Sequence, residues 1–358
     1  MTTAWPETRL ARLLGVRYPI VQAPMAGGVS TPELAAAVSE AGGLGSLGLA
    51  YTPPDEMRQA IGAVRARTDR PFGVNLFVFE TPPPGDLDAG QRLLDPYRRE
   101  LGLRPSAPPG PPPFSRDDQL QVVLDERPAV FSFTFGIVEA SVVEALHERE
   151  VIVLGTATTV TEAMAVEAGG VDAVVAQGAE AGGHRGTFVG DLEEALIGSV
   201  ALVPQVADAV RVPVVAAGGI MDGRGIAAAL ALGASGVQIG TAFIPTPESG
   251  AHEVHKRTVV EGDECSTVVT PVFTGRHARG IRNRLVRDLD TERDRLAAFP
   301  FQAAVSADVR EEATRRGERE LMTMLAGQGL RLARELPAAE LVATLVRETE
   351  TTLGLLCR

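Results

Sequence analysis

A glycine-dense segment with one histidine is the most chemically informative part of this chain. It reads Ala176-Gln-Gly-Ala-Glu-Ala-Gly-Gly-His-Arg-Gly186 and follows a β-branched run at residues 171–175, which predicts a buried strand. Loops at the carboxyl ends of strands hold ligands and reacting groups in parallel α/β folds. Glycines let backbone N–H groups approach an anion or a flat ring, and imidazole titrates near neutral pH. The segment therefore predicts a ligand-binding loop with His184 as the candidate catalytic residue.

The arrangement of the remaining chain predicts what positions this loop. Eight short β-rich runs alternate with alanine-rich windows, several of which open on helix-capping residues such as Thr31, Thr159 and Asp222. A strand followed by a helix, repeated eight times, is typical of a closed parallel barrel. The predicted fold class is therefore α/β, a (β/α)8 TIM barrel, with strands at residues 19–25, 43–49, 72–78, 129–135, 151–156, 173–177, 212–217 and 236–241.

Two regions interrupt the alternation and predict the domain organisation. Residues 81–113 are dense in proline and glycine, which predicts a surface insertion or lid after the third strand. Residues 244–330 are polar and arginine-rich, and they predict a smaller cap or substrate domain inserted after the last barrel strand. We therefore expect the barrel over residues 1–243 and C-terminal helices over residues 331–358 that pack on it.

Charge and composition argue against several classes of function. The net charge of −12 disfavours nucleic acid or an anionic membrane surface as a partner. The chain has no signal-peptide pattern and no apolar run long enough to span a membrane, which predicts a cytoplasmic protein. Cys265 and Cys357 form no metal-binding pattern, so we expect reduced spectator thiols and no metal site.

Other predicted strand ends carry residues suited to a flat, phosphorylated ligand. Gly218-Gly219 and Gly240-Thr241 follow the last two strands, where barrels commonly bind phosphate, although glycines also occur there for tight turns alone. Ala23-Pro24-Met25 offers a rigid apolar shelf after the first strand. The amides of Asn75 and Gln177 can donate and accept, as the pyrimidine-like edge of a flavin requires, although a single buried amide is more often structural.

These segments resemble a known family when they are taken in order. QAPMAGG, GVNLF, AQGAEAGGHRG, AAGGIMDGRG and GVQIGTAF, followed by TGRHARGIRN and AGQG, are similar to the motifs of nitronate monooxygenase, formerly called 2-nitropropane dioxygenase. The resemblance implies an FMN-dependent barrel enzyme that oxidises alkyl nitronates, and nitroalkanes as further candidates, with O2 to a carbonyl compound and nitrite. It implies a small-molecule substrate and O2 as partners. We expect a monomer or a homodimer.

The resemblance also assigns roles to individual residues. His184 matches the family's catalytic histidine, which would take the proton from the α-carbon of a nitroalkane. With a nitronate that arrives ionised, it would instead be a charge partner, and a purely structural imidazole is the remaining alternative. The predicted FMN site comprises Ala23, Pro24, Met25, Asn75, Gln177, Gly182, Gly183, Gly218, Gly219, Gln238, Ile239, Gly240 and Thr241.

The predicted cap departs from the family pattern. Phe299-Pro300 and Met324-Leu325 stand where relatives commonly carry a tyrosine before proline and a tryptophan before Ala-Gly-Gln. Because all three tyrosines precede residue 244, we expect a cap without a phenol group. His147, His252, His255 and His277 lie on no predicted strand-end loop, so we expect structural roles for them.

Two other functions stay open at this point. An NAD(P)H-dependent FMN reductase of enoyl thioesters or quinones would share the barrel motifs, whereas the GRHARGIRN segment favours the monooxygenases. A flavin-free phosphate-binding isomerase or lyase is disfavoured, because the strand-end loops carry no paired carboxylates and no lysine for a Schiff base.

Overall fold

Eight parallel strands and their helices form the main body of the protein. The computed structural model describes residues 5–83, 85–104 and 114–356. Cys357 and residues 105–113 of the predicted insertion lie outside this part. The barrel strands are β1 (Ile20–Gln22), β2 (Gly45–Gly48), β3 (Phe72–Phe77), β4 (Val130–Thr134), β5 (Ile152–Ala157), β6 (Ala173–Gln177), β8 (Val214–Ala217) and β9 (Gly236–Ile239); a short strand, β7 (Gly183–His184), lies between β6 and β8.

The order of the strands confirms the predicted barrel. Neighbours run β1-β9-β8-β6-β5-β4-β3-β2, and every neighbouring pair is parallel. A parallel bridge between Val21 and Leu44 brings the two ends of the sheet together. The Gln22 amide donates to the Leu44 carbonyl at 2.9 Å, so no open edge remains between β1 and β2. The molecule is a (β/α)8 TIM barrel.

The predicted strands all form, and six of them are shorter than predicted, whereas β6 matches its predicted bounds and β5 runs one residue further, to Ala157. The first is the clearest case, since it was predicted to reach Met25 but β1 ends at Gln22. Pro24 has no N–H to continue a ladder, and the chain turns there into the loop that faces the cap. The last was predicted to reach Thr241, but β9 ends at Ile239 and Thr241 begins a 3-10 turn.

The helices begin where the sequence places capping residues. The Thr31 hydroxyl accepts from the Leu34 amide at 3.0 Å, and Thr159 and Asp222 cap their helices in the same way. The α-helices are α1 (Arg9–Leu14), α2 (Pro32–Glu40), α3 (Pro54–Arg65), α4 (Leu87–Glu100), α5 (Arg116–Glu126), α6 (Ala140–His147), α7 (Val160–Ala168), α8 (Ser199–Ala209), α9 (Gly223–Ala231), α10 (Glu253–Glu261), α11 (Arg284–Leu289), α12 (Phe301–Val305), α13 (Ala307–Arg316) and α14 (Ala338–Leu356).

The region after β9 forms a separate hydrophobic cluster over the barrel. It contains α10 to α13 and an antiparallel pair, β10 (Thr267–Thr270) and β11 (Ala278–Ile281). The long helix α14 instead packs against α9 and α2 on the outside of the barrel. No helix in the described ranges combines the length and the apolar character needed to cross a membrane.

Helix α4 belongs to this upper layer, which the sequence did not predict. It lies within residues 81–113, yet Leu94, Tyr97 and Leu101 pack in the cap cluster. Arg98 is buried and donates to Asp308 at 2.8 Å and to the Val305 carbonyl at 2.8 Å, which joins α4 to α12 and α13. Residues 244–330 contain no tyrosine, as expected, but α4 brings a phenol group against them, since the Tyr97 hydroxyl donates to Asp288 at 3.1 Å.

Close packing between α2 and β2 gives a direct test of the fold. A Cβ at Gly45 would lie 1.9 Å from the Ala35 carbonyl oxygen, whereas a Cβ at Gly62 in α3 would meet no atom within 4 Å. We expect Gly45→Ala to lower the free energy of unfolding by about 1–3 kcal/mol or more, because backbone must move. Gly62→Ala, the matched control, should raise it by about 0.5–1 kcal/mol. Urea unfolding measures both, and equal effects would contradict this packing.

Candidate active site

A cavity of about 910 Å³ lies where the barrel strands end and the cap begins. This volume is near the upper end of the roughly 300–1,000 Å³ typical of small-molecule sites, which leaves room for a cofactor and a substrate together. The predicted site residues that line it are Ala23, Pro24, Met25, Asn75, Gln177, Gly182, Gly183, His184, Gly218, Gly219, Gln238, Gly240 and Thr241.

Ile239 is the predicted site residue that does not line the cavity. Its side chain is buried between the barrel strands and the surrounding helices, because successive residues of a strand point to opposite faces. Its backbone still shapes the site, since the Ile239 carbonyl accepts from the Ala23 amide at 2.8 Å. This backbone contact supports the Ala23-Pro24-Met25 shelf.

A buried polar network beneath the same shelf was missed in the sequence. The Gln22 side chain donates to the Ser30 hydroxyl at 2.9 Å and accepts from the Ser46 amide at 2.9 Å. The Ser30 hydroxyl in turn accepts from the Met25 amide at 2.8 Å. Because Gln22 is fully buried, these bonds fix the turn that places Pro24 and Met25 at the cavity wall.

His184 lies on a short strand that joins the barrel to the cap. Residues Gly183 and His184 form β7, which pairs with β11 through the partners Ala278–His184 and Arg279–Gly183. The next amide along, that of Arg185, donates to the His277 carbonyl at 2.9 Å. The loop predicted after β6 is therefore one edge of a three-stranded sheet whose other strands belong to the cap.

Gln177 shapes this loop with both ends of its amide. Its Nε2 donates to the His184 carbonyl at 2.9 Å, and its Oε1 accepts from the Gly186 amide at 2.9 Å. One hydrogen on Nε2 and one lone pair on Oε1 remain for another partner. The Asn75 side chain is less constrained, since its Nδ2 donates to the Ser132 hydroxyl at 2.9 Å while its Oδ1 accepts from no group in the described residues.

Two buried charges hold the loop from behind. The Arg185 guanidinium donates to the carbonyls of Gly178, Gln177 and Ala195, at 2.6, 3.0 and 3.0 Å. The fully buried Glu162 carboxylate accepts from the Phe188 and Val189 amides and from the Thr158 amide and hydroxyl. Burial lowers the pKa of Arg185 to about 10. Neither residue lines the cavity, so their role here is to fix backbone.

Three phenylalanine rings surround the His184 imidazole. Phe77, Phe135 and Phe299 lie edge-on to it, with ring centroids 5.7–5.8 Å away. Phe135 holds φ 85°, a left-handed conformation that a bulky side chain rarely adopts. The polar contact of the imidazole is at Nε2, which lies 2.8 Å from the Thr274 hydroxyl. The Thr274 hydroxyl is also 3.3 Å from the Arg276 carbonyl, to which it can donate.

This environment keeps His184 neutral. Removal from water lowers its pKa to about 3, and the positive charges of Arg276 and Arg310 act in the same direction. The Arg276 guanidinium stacks on Phe135, 3.8 Å from the ring centroid, and donates to the Thr187 carbonyl. The imidazole is therefore unprotonated throughout the neutral range, with its exposed part facing the cavity.

The cap contributes cavity residues that carry no strand-end pattern. His252 and His255, for which the sequence predicted structural roles, both line the cavity at and near the start of α10. His255 lies 3.1 Å from the Leu325 carbonyl, and burial lowers its pKa to about 4. From the barrel side, Tyr51 lines the cavity after β2, so a phenol group is available there although the cap lacks one at Phe299.

Gly182 and Gly183 have different structural roles at the site. A Cβ at Gly182 would lie 2.5 Å from the Gly327 amide nitrogen, so this glycine admits the cap segment Ala326–Gly329. The Gly327 amide also donates to the Thr241 hydroxyl at 2.9 Å. A Cβ at Gly183, where φ is +81°, would meet no atom within 4 Å and would project into open space beside His184. Gly183 therefore borders the cavity with bare backbone.

The depressed pKa of His184 predicts acid sensitivity of the fold. Below about pH 6.5 the unfolded chain takes up a proton on this imidazole, whereas the folded chain does not until about pH 3. The free energy of unfolding therefore falls as the pH drops through this window. We expect His184→Asn to lose less stability than wild type between pH 7 and pH 4 in urea unfolding.

The difference between the two proteins is the informative quantity. His255 also has a lowered pKa and contributes with the same sign, but it does so equally in wild type and variant. Identical pH dependence in the two proteins would show that the folded imidazole of His184 titrates normally.

Comparisons with known proteins agree with the fold and the cavity described above. The nitronate monooxygenase family model matches residues 7–348. A "Probable nitronate monooxygenase" from Staphylococcus saprophyticus is 42% identical over 352 residues, covering 97% of this chain and 99% of the relative. A similarly named protein from Staphylococcus aureus is 39% identical and covers 96% of this chain and 98% of the relative.

Solved structures give the same result. The structure of a nitroalkane oxidase from Streptomyces ansochromogenes superposes with a TM-score of 0.91 at 45% identity, covering 97% of this chain and 99% of that one. FabK from Thermotoga maritima superposes with a TM-score of 0.77 at 33% identity, covering 98% of both chains. With the family model spanning almost the whole barrel and cap, the chain belongs to the nitronate monooxygenase family.

Proposed function

We propose that this protein is an FMN-dependent enzyme that oxidises alkyl nitronates with O2 to a carbonyl compound and nitrite. The observation that carries the proposal is the neutral His184 imidazole, held at Nε2 by Thr274 inside a ring of phenylalanines at the barrel mouth. In the net balance, two nitronate anions and one O2 give two carbonyl molecules and two nitrite ions. The nitronate is the only electron donor in this balance, so NAD(P)H is not required.

The residues present fit FMN. Gly218 and Gly219, with φ of 111° and 72°, and Gly240 with Thr241 would hold the phosphate after β8 and β9. The Ala23-Pro24-Met25 shelf, the Oδ1 of Asn75 and the bare backbone at Gly183 would take the ring and its polar edge. When bound there, FMN supplies electron acceptance from the substrate and reaction with O2.

His184 would act as the base when the substrate is a neutral nitroalkane. The tautomer that donates from Nε2 to Thr274 leaves Nδ1 unprotonated, as a proton acceptor. A pKa of about 3 makes an isolated imidazolium unfavourable at this position. A nitronate anion forming beside the ring offsets that cost by its opposite charge. A nitronate that arrives already ionised needs no such step.

The cluster of phenylalanines around His184 defines the kind of substrate. Phe299 occupies the place where relatives carry a tyrosine, and it faces His184 with an apolar edge. Phe79 packs on the other side of it, 4.9 Å between ring centroids. Of the three rings around His184, Phe77 lines the cavity, with Phe135 and Phe299 packed behind it. A group next to the reacting carbon would therefore contact the Phe77 ring, which favours alkyl substituents.

Turnover with two forms of one substrate tests the proposal. We expect purified FMN-loaded wild type to consume O2 and release nitrite from propyl nitronate without NAD(P)H. His184→Asn should lower kcat/KM for neutral nitropropane by about 10²-fold or more, because it removes the proton acceptor. The loss with the pre-ionised nitronate should be much smaller.

Nitrite assays and an oxygen electrode measure these rates, with flavin absorbance confirming equal FMN loading of the two proteins. The absence of nitrite from several nitronates in wild type would reject the proposed function. Equal losses on nitropropane and its nitronate would reject the role of His184 as a base.

A further inference from the structure

Two guanidinium groups lie near His184, those of Arg276 and Arg310, and carboxylates act on them only at longer range, Glu162 on Arg276 and Glu311 on Arg310. Arg276 stacks on Phe135, the ring whose edge faces His184, and donates to the Thr187 carbonyl. Arg310 lines the cavity from α13. Within the described residues, no carboxylate oxygen lies within the 4 Å of an ion pair from either guanidinium. Six of the twelve arginines in residues 244–330 form such an ion pair, among them Arg315 and Arg316 with Glu312.

Arg310 is held in place by neutral partners. Its Nε donates to the Ser306 hydroxyl at 2.9 Å, and its Nη2 donates to the Ala303 carbonyl at 2.7 Å. These bonds fix the plane of the guanidinium and leave Nη1 with no acceptor in the described part of the chain. The anchor residue Ala303 lies one helical turn beyond Phe299, whose ring is 5.8 Å from the His184 ring.

A positioned cation with no ion-pair partner in the described residues favours an anionic ligand, even though the Glu311 carboxylate also lines this partly open cavity. Arginine stays protonated at all accessible pH values, so burial cannot remove its charge by titration. Its planar donors match a planar anion with two oxygens, such as a nitronate or a carboxylate. His184 is neutral at the same site, so the positive charge facing the cavity here comes from arginine.

The phosphate of a bound FMN is a poor candidate for this anion. The glycine pairs proposed for the phosphate follow β8 and β9, whereas Phe77 and Phe135 follow β3 and β4. In the strand order of the barrel, β3 lies diametrically opposite β8. Arg310 and Arg276 therefore belong to the aromatic side of the cavity, where His184 meets the substrate.

We propose that Arg310 binds the negatively charged oxygens of the substrate, with Arg276 adding positive charge from behind Phe135, so that the site selects the nitronate anion over the neutral nitroalkane. This inference rests on the proposed function. Arg310 would then determine substrate specificity by binding the negative charge. His184 would accept the proton of the substrate.

Binding of nitrate to the FMN-loaded protein tests the inference apart from turnover. Nitrate is a planar anion with the shape of the reacting nitronate group, and isothermal titration calorimetry gives its dissociation constant. We expect Arg310→Gln to weaken nitrate binding by about 10- to 100-fold, as the loss of a charge-assisted hydrogen bond predicts. Arg310→Lys, which keeps the charge, should recover part of the affinity.

Arg316→Gln is the matched control, because it removes a charge from the same helix at a residue paired with Glu312. It should bind nitrate as wild type does. In turnover, Arg310→Gln should raise KM for the nitronate while leaving KM for the neutral nitroalkane nearly unchanged. Thermal midpoints and flavin content show whether the variants fold, and the lysine variant carries the comparison if the glutamine variant does not.

The outcomes separate the two proposals. Wild type that oxidises nitronates but binds nitrate no better than Arg310→Gln would overturn the role of Arg310. Nitrate affinity that falls equally in Arg316→Gln would also overturn it, since only the general charge of α13 would then matter. Wild type that binds nitrate through Arg310 but releases no nitrite from nitronates would instead reject the proposed function and keep the anion site.

Discussion

The pairing of β7 with β11 is the interaction on which the rest of the site depends. It fixes the backbone of Gly183 and His184 against Ala278 and Arg279, so the barrel loop and the cap share one small sheet. The barrel supplies the glycine-lined side of the cavity, and the cap supplies Thr274 and Phe299. Without this pairing the imidazole would lose its hydrogen-bond partner at Nε2 and part of its aromatic surroundings.

Several buried groups act on this one strand. Gln177 bonds to the backbone on both sides of Arg185, Arg185 binds three carbonyls beneath it, and Glu162 fixes the residues that follow. A buried carboxylate or guanidinium is costly unless it is hydrogen-bonded, and here both Nη atoms of Arg185 and both oxygens of Glu162 have partners. Removal of one side chain would leave the backbone groups that it binds unsatisfied, so together they specify one loop conformation. That rigidity suits a site in which a proton acceptor must lie in one place.

Much of the fold could be predicted from the sequence because its information is local. β-branched runs, helix caps such as Thr159 and terminal glycines are read within a few residues, and all eight barrel strands form where they were expected. Helix α4 was missed because Pro96 and the surrounding prolines suggested a loop. Its apolar residues become meaningful only once the cap cluster that buries them is known.

The candidate site, too, could be predicted only in part from the sequence. The strand-end motifs identified one wall of the cavity, and the alternation of strand residues could have shown that Ile239 points into the core. The phenylalanines around His184 come from three separate segments, and His255 and Arg310 come from cap helices. No local pattern brings such residues together. The lowered pKa of His184 depends on that assembly, and an imidazole considered alone predicts a value near about 6.5.

The central claim is that FMN bound in this cavity would be reduced by a nitronate and not by a reduced nicotinamide. Anaerobic stopped-flow mixing of the FMN-loaded protein with propyl nitronate, and separately with NADPH, tests it most directly. We predict loss of the oxidised-flavin absorbance with the nitronate alone and a stable yellow spectrum with NADPH. Rapid bleaching by NADPH together with no response to the nitronate would contradict the claim and identify a flavin reductase.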